Sequence, residues 1–399
     1  MEMPASTNIG AGTRLLLHLW RGLNEPGSRA DFEPNWQSFL EACDYHQVSP
    51  IVFHRFQGRS DVPAQVLEHL RLRFYRISAY NHYLAKHLVQ LASEFERQRI
   101  PCLALKGPAV AMAAYGDLSL RQDEDIDIMV HVEDVSKAAE MLFSRGFHAV
   151  RGHSERYKNV KLYHEITLAA PDGSYAVGLH CWQLAPPYAR VFGPDACAVW
   201  LRAANLHLPF GDVPVLCRED LFLALCQHGT RHRWWQLKWL FDVAELLRKS
   251  GTMDWSGVAD AIQISPMVRA SASLAAMLAH ELLGIHVPVD VKKTLEPAKR
   301  TRAVGQAIRD EFLSRGQTSG SSHDTLLGLQ QHSLVRMKYL AVEAFQYPVR
   351  EILFTITDKD IQFVRLPAKF RLWYYFIRPL RLMLEHGRSA AIRIWSMAR

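Results

Sequence analysis

The sequence has little cysteine and no pattern in it. Its six cysteines, at 43, 102, 181, 197, 217 and 226, are scattered over 399 residues without a CxxC pair. That excludes a disulfide scaffold or a zinc ribbon and fits a reducing compartment, so a cytoplasmic location is expected. Long hydrophobic runs are absent too. No stretch reaches the roughly 18 apolar residues of a membrane span. The N-terminal "LLLHLW" is too short for a signal-peptide core and lacks a small-residue cleavage pattern. No repeat of fixed period is visible.

What is present is a globular composition, 49% hydrophobic and 22% charged, long enough for two or three cores. The net charge of +7 is placed unevenly. From residue 331 onward, twelve Lys or Arg stand against five acids, so the tail carries the whole excess. Such a region suits an anionic partner, whether phosphate-rich or a membrane surface. Its plainer reading is a solvated helix face.

Periodicity divides the chain. Residues 13 to 100 read as helices, closing with "NHYLAKHLVQLASEFERQRI" before Pro101. "CLAL" is of strand length and is broken by Lys106-Gly107-Pro108, after which "AVAMAAYG" is helical with Gly116 as its C-cap. "DIDIMVHV" reads as a strand with one polar end, "EDVSKAAEMLFSRGF" as an amphipathic helix. "FHAVR", "KLYHEITLAA" and "YAVGLHCWQL" predict three more strands, the last two joined by the turn "PDGS". From about 218 to 290 the pattern is helical again, and "SRGQTSGSSHDT" is the best linker. The expected class is α+β: a helical region at 1–100, a small mixed-sheet core at 101–185, a helical closing domain at 186–313, and a basic helical region at 326–399. A pocket is expected where these layers meet.

Asp125 and Asp127 stand at i and i+2 of the polar-ended strand, so both carboxylates project from one face while Ile126 and Ile128 turn into a core. Two such groups repel, and unpaired burial would be costly. A divalent cation relieves both. Mg²⁺, or Mn²⁺ in its place, takes one or two carboxylates together with substrate phosphates. The alternative is a solvated strand end. Upstream, Gly107 would let the backbone approach a phosphate, the following helix start offers unpaired N–H groups, and Lys106 adds a charge. Arg121 could meet phosphate, or simply Asp123 or Glu124.

"LALKGPAVAMAAYGDLSLRQDEDIDIMV" resembles the nucleotidyltransferases of the DNA polymerase β superfamily, in which a strand–Gly–helix element precedes a DxD-bearing strand. It looks closest to a poorly characterised bacterial branch related to abortive-infection nucleotidyltransferases. "LCREDLFLALCQHGTRHRWWQLKWLFDVAELL" is similar to the helical region of that branch, and "RLPAKFRLWYYFIRPLRLML" to its C-terminal piece. The likeness covers most of residues 36 to 387. It implies Mg²⁺ on Asp125 and Asp127, an NTP whose triphosphate lies on Lys106, Gly107, Arg121 and Lys238, and a third carboxylate on a later strand. That third position is Gly178 here. Glu165 is the candidate substitute and is counted with the catalytic pair; His180 or His164 could also reach, although imidazole suits hard Mg²⁺ poorly.

His228 and His232 lie one helical turn apart. Without the glutamate of an HExxH site, "HGTRH" is open to three readings: a metal site, a substrate or phosphate contact, or structural hydrogen bonding. Lys238 and Asp242 form an intrahelical ion pair or, as the resemblance implies, reach the triphosphate and orient it or the acceptor. Trp234, Trp235 and Trp239 read as core before they read as a stacking platform. The expected reaction is metal-dependent transfer of an NMP from NTP to an acceptor (sugar, peptide, protein or RNA). Two alternatives are a nucleotide-binding pseudoenzyme and a toxin-like enzyme acting on tRNA.

Overall fold

The computed structural model describes residues 9–23, 33–150, 165–181, 198–287, 289–316 and 364. The first residues of the expected linker, Ser314 and Arg315, end a helix capped by Gly316; the rest of the linker, the basic tail apart from Val364, and His164 lie outside the described residues.

Four helices come first: α1 (Ile9–Gly22), α2 (Trp36–Tyr45), α3 (Ser49–Phe56) and the long α4 (Ala64–Arg97). The start of α2 is set by Asn35, whose side chain accepts from Ser38 N at 2.9 Å. Strand β1 (Cys102–Ala104) then leads through Lys106-Gly107 into the short α5 (Pro108–Val110), which continues as a π-turn over Ala111–Tyr115 and closes at Gly116 with φ +80°. Strand β2 (Ile126–Val130) carries the acidic pair's second member, and α6 (Val135–Ser144) follows. Strands β3 (His148–Ala149), β4 (Glu165–Ala169) and β5 (Ala176–His180) come next, all three anticipated.

After α7 (Ala198–Leu201), an antiparallel hairpin of β6 (Ala204–Leu208) and β7 (Gly211–Val215) joins the same sheet. The seven strands run in the order β3-β4-β5-β2-β1-β7-β6, with β2–β5 and β1–β7 parallel and the other pairs antiparallel. The expected mixed α+β architecture is what the chain adopts. The hairpin was not anticipated, although Leu206, Leu208, Val213 and Val215 alternate around a Pro-Phe-Gly-Asp turn and carry the signal. The helical set then resumes with α8 (Arg218–Arg231), α9 (Leu237–Arg248), α10 (Trp255–Ile264), α11 (Pro266–Leu283), α12 (Val289–Thr294) and α13 (Lys299–Arg315).

The two faces of the sheet belong to different cores. Ile126, Ile128 and Val130 of β2 and Val177 and Leu179 of β5 pack with Leu84, Leu88 and Phe95 of α4 and with Ala138 and Leu142 of α6. Leu103 and Met129 point the other way, into the large core built by the remaining helices around Trp20, Phe39, Phe56, Trp234 and Phe241. Strand alternation therefore sends Asp127, Gly178 and His180 to the helical side. A buried knot ties the outer helices there. His46 meets Thr13 Oγ1 at 3.0 Å and the Gly316 carbonyl at 2.9 Å, while its Nδ1 accepts from Leu237 N at 3.3 Å. Burial pushes the imidazole down to about 3, so it is neutral.

Candidate active site

The register of the sheet assembles the site. Asp127 lies opposite Gly178 across the parallel β2–β5 pair, and His180 lies opposite Glu165 across β4–β5. Asp127 is 5% exposed. One of its oxygens meets the Lys106 ammonium at 3.3 Å and the other meets His180 Nε2 at 2.6 Å. Burial alone would raise this carboxyl, but Lys106 and His180 outweigh it and hold the group well below the usual carboxylate range. Asp125 is pushed the opposite way, to about 6, by burial and then by the charge of Asp127, against the pull of Lys106, His180 and Lys238. The pair thus divides its roles: one carboxylate is firmly ionised and its neighbour resists a second negative charge.

Lys106 is carried by the β1–α5 turn. Gly107 holds φ +63°, and a Cβ there would sit 2.7 Å from the carbonyl oxygen of Asp125. Glycine is needed because this turn presses directly on the entrance to β2. The same contact brings Lys106 over Asp127. Phosphate approach had been the expected reason for the glycine; backbone packing is one the structure displays.

Gly178 occupies the place where the third carboxylate was expected. A Cβ added there would fall 2.5 Å from Asp127 Oδ1 and 3.0 Å from His180 Nε2, so the Asp127–His180 bond fills that volume. Glu165 meets the pair through His180, its Oε2 lying 4.0 Å from His180 Nδ1. Lys106, Asp127, His180 and Glu165 form a row.

Arg121 pairs with Asp123, one of the partners its sequence position offered, and adds Asp242. Its guanidinium is buried, bound in bidentate fashion to Asp242 at 2.9 and 3.1 Å and also to Asp123. Burial works against its charge, but Asp242 and Asp123 outweigh burial and raise it further above its ordinary value. Tyr115 donates to the same Asp242 at 2.8 Å. Lys238 and Asp242, one turn apart on α9, turn to different partners. The Lys238 ammonium donates to Gln47 and, at 3.3 Å, to the Gln122 carbonyl, and burial brings it down to about 8.

Three supporting residues escaped sequence reading. Asn81, fully buried in α4, donates to the carbonyls of Leu118 (2.6 Å) and Arg121 and accepts from Asp123 N at 3.3 Å. It fixes the loop that feeds β2, and its only sequence signal is a polar residue on the apolar stripe of "SAYNHYLAKHL". Gln47 bridges Lys238 to Glu124, at 2.6 Å from the latter. Tyr80 donates to the Glu124 carbonyl at 3.3 Å and borders a cleft of about 500 Å³ lined also by Asp44, Arg73, Arg76, Ile77, Gln122, Asp123 and Glu124. The cleft is lined by the loop residues Gln122, Asp123 and Glu124 that lead to Asp125, and neither Asp125 nor Asp127 lines it.

His228 and His232 sit at the end of α8 with ring centroids 4.7 Å apart, against Trp239 at 5.0 and 5.2 Å. Burial is the main force lowering both imidazoles, His228 far down and His232 to about 4. The charges of Lys106 and Asp127 act on His228, and those of Lys106 and Glu165 on His232. Among the described residues no three His, Cys, Asp or Glu side chains form a metal-holding group.

An acidic pair at a strand mouth, beside a Lys-Gly turn and facing a helical region, is the arrangement of a nucleotidyl-transferring fold. The chain belongs to a family described as "uncharacterised nucleotidyltransferase", which matches residues 33–284. Among solved structures it is similar to an antigenic nucleotidyltransferase-like protein from Paracoccidioides brasiliensis, at 15% identity and a TM-score of 0.30, over 52% of this chain and 95% of that one. No curated protein matches it. Among the described residues no helix is long and apolar enough to cross a membrane.

Proposed function

We propose that this chain transfers a nucleoside monophosphate from an NTP to an acceptor in a reaction that depends on a divalent cation. One observation carries the reading: Asp125 and Asp127 are crowded at the mouth of β2, where burial and mutual repulsion push Asp125 to about 6. Hard oxygen donors under that repulsion fit Mg²⁺ or Mn²⁺, with substrate phosphates completing the shell. A bound cation would supply charge neutralisation at the reacting phosphates.

The chain's own residues then have defined tasks. Asp127 and Asp125 would hold the cation. Lys106, 27% exposed at its side chain and paired with Asp127 at 3.3 Å, is the amine placed to meet a phosphate oxygen. Gly107 keeps the turn pressed on β2, so that amine stays in reach. Arg121 and Lys238 act from beneath the loop, Arg121 by fixing it to Asp242 and Lys238 by lending charge through Gln47 and Gln122. His180, with Glu165 behind it, orients Asp127 in the place where a third carboxylate was expected. His228 and His232 line the side on which the helical region closes. The Tyr80 cleft is the open volume beside the loop that leads to the pair and suits the acceptor. Attack on the α-phosphorus forms the new P–O bond, and pyrophosphate leaves. Catalysis of this kind consists mainly of positioning and charge neutralisation.

A second reading is favoured by Gly178: a nucleotide-binding protein without turnover. Incubating the full chain with each labelled NTP and Mg²⁺ or Mn²⁺ separates the two. Transferase activity predicts pyrophosphate release and label on an acceptor or on the protein. Thermal stabilisation by NTP without either product supports the binder, and no response to any NTP removes both readings.

A further inference from the structure

The corner between α8 and α9 is built with unusual stiffness. Arg233 and Trp234, neither of them glycine, hold φ at +54° and +56° in succession. Such residues are strained and persist only where their surroundings over-determine them. Here the surroundings are visible. Trp234 is fully buried, its ring so close over Gly229 that a Cβ there would lie 2.3 Å from it, and Arg233 pairs with Glu311 of α13 at 2.9 Å. The outcome of the strained turn is the placement of the next residue. Trp235 emerges 37% exposed, edge-on to Trp239 at 5.3 Å.

Trp235 thereby ends a continuous row of rings, His228–His232–Trp239–Trp235, whose other end feels the charges of Lys106 and Asp127. We infer that this row seats the base of the nucleoside triphosphate, with Trp235 as its stacking face and His232 at its polar edge. The inference rests on the nucleotidyltransferase reading. A base lies one ribose away from the α-phosphate, so its seat must begin beside the acidic pair and lead away from it, as this row does. The ligand it fits is planar, uncharged and rimmed by hydrogen-bonding atoms. Both imidazoles are held neutral by burial, so they offer a donor–acceptor edge and not a cation for phosphate. A transition-metal site would need further ligands, and no such group occurs among the described residues.

Calorimetric titration of the full chain tests this, using Mg²⁺ with α,β-methylene analogues of the four NTPs and, separately, inorganic tripolyphosphate. Stacking on one tryptophan predicts that Trp235→Ala weakens the nucleotide analogues about tenfold and leaves tripolyphosphate unchanged. Trp235→Phe, which keeps a ring, is expected to restore most of the loss. Equal nucleotide affinity in wild type and Trp235→Ala overturns the base seat while leaving the transferase reading intact, as does a proportional loss of tripolyphosphate. A wild-type chain that binds neither ligand overturns the nucleotidyltransferase reading itself and the base seat with it.

Discussion

Two carboxylate clusters lie within a few residues of each other, and they are finished in opposite ways. Asp123 and Asp242 close on Arg121, a planar guanidinium that is buried, bidentate and always charged. Asp125 and Asp127 have an ammonium on a flexible stem and an imidazole. The first cluster is ion-paired deep in the protein, although Asp123 keeps one buried oxygen without a hydrogen-bond partner and burial raises it to about 6. In the second, Asp125 is likewise raised to about 6, but the cation beside Asp127 is the partly exposed Lys106. The difference is access: Arg121 is sealed under the loop, and the Lys106 ammonium reaches solvent.

The largest effect that would break this contrast is on turnover. Asp127→Asn is expected to lower nucleotidyl transfer by about a hundredfold or more, measured as pyrophosphate release, because it removes charge where charge must be neutralised. A variant with undiminished activity would move the chemistry elsewhere. Arg121→Met should instead act on the fold. It leaves Asp242 and Asp123 buried without their cation, a loss of about 3–5 kcal/mol readable in chemical denaturation. A small change there would make Arg121 a substrate ligand after all. At the α8–α9 corner, Gly229→Ala forces a methyl group into the Trp234 ring and should cost about 3 kcal/mol by the same assay.

Two pH dependences sharpen the comparison. Cation binding needs Asp125 ionised, so Mn²⁺ affinity should fall about tenfold between pH 7 and pH 5, as protons compete at a carboxyl near 6. A flat profile would show that Asp125 is not a ligand. The buried His46 acts on stability with the opposite protonation preference. Burial holds it at about 3 against an ordinary 6.5, so between those values the unfolded chain binds a proton that the folded chain refuses. Its contribution is complete above 6.5 and declines as pH falls toward 3. His46→Gln should flatten that decline in urea titrations at pH 7 and pH 5, the smallest of these effects.

Much of this was legible beforehand because it is local. The period change after Pro101 and the glycine stops at 116 and 146 each depend on a few consecutive residues, and each took its expected form; Asp127 lies on β2, while Asp125 stands one residue before the strand begins. Gly178 was singled out by the family resemblance as the position of a third acid, and the pairing of β2 with β5 sets it opposite Asp127. The β6–β7 hairpin was missed because its strands are short and interrupted by Pro214. For Arg121 and Lys238 the sequence left a phosphate contact and a protein ion pair both open, because a cation near an acidic pair suits either role. Their partners, Asp242 and Gln47, lie more than a hundred residues away.

By itself the sequence determined the alternation of elements and the face each side chain takes, since backbone periodicity is a property of neighbours. Only the tertiary structure decided which charges are completed and which are left open. A carboxylate's state depends on the distance to a cation and on the water excluded around both, and those are set by contacts between distant segments. The chain spells out an acidic pair at a strand mouth; the packing of α4 and α9 brings Asn81, Asp242 and Lys238 onto the loop that leads to it.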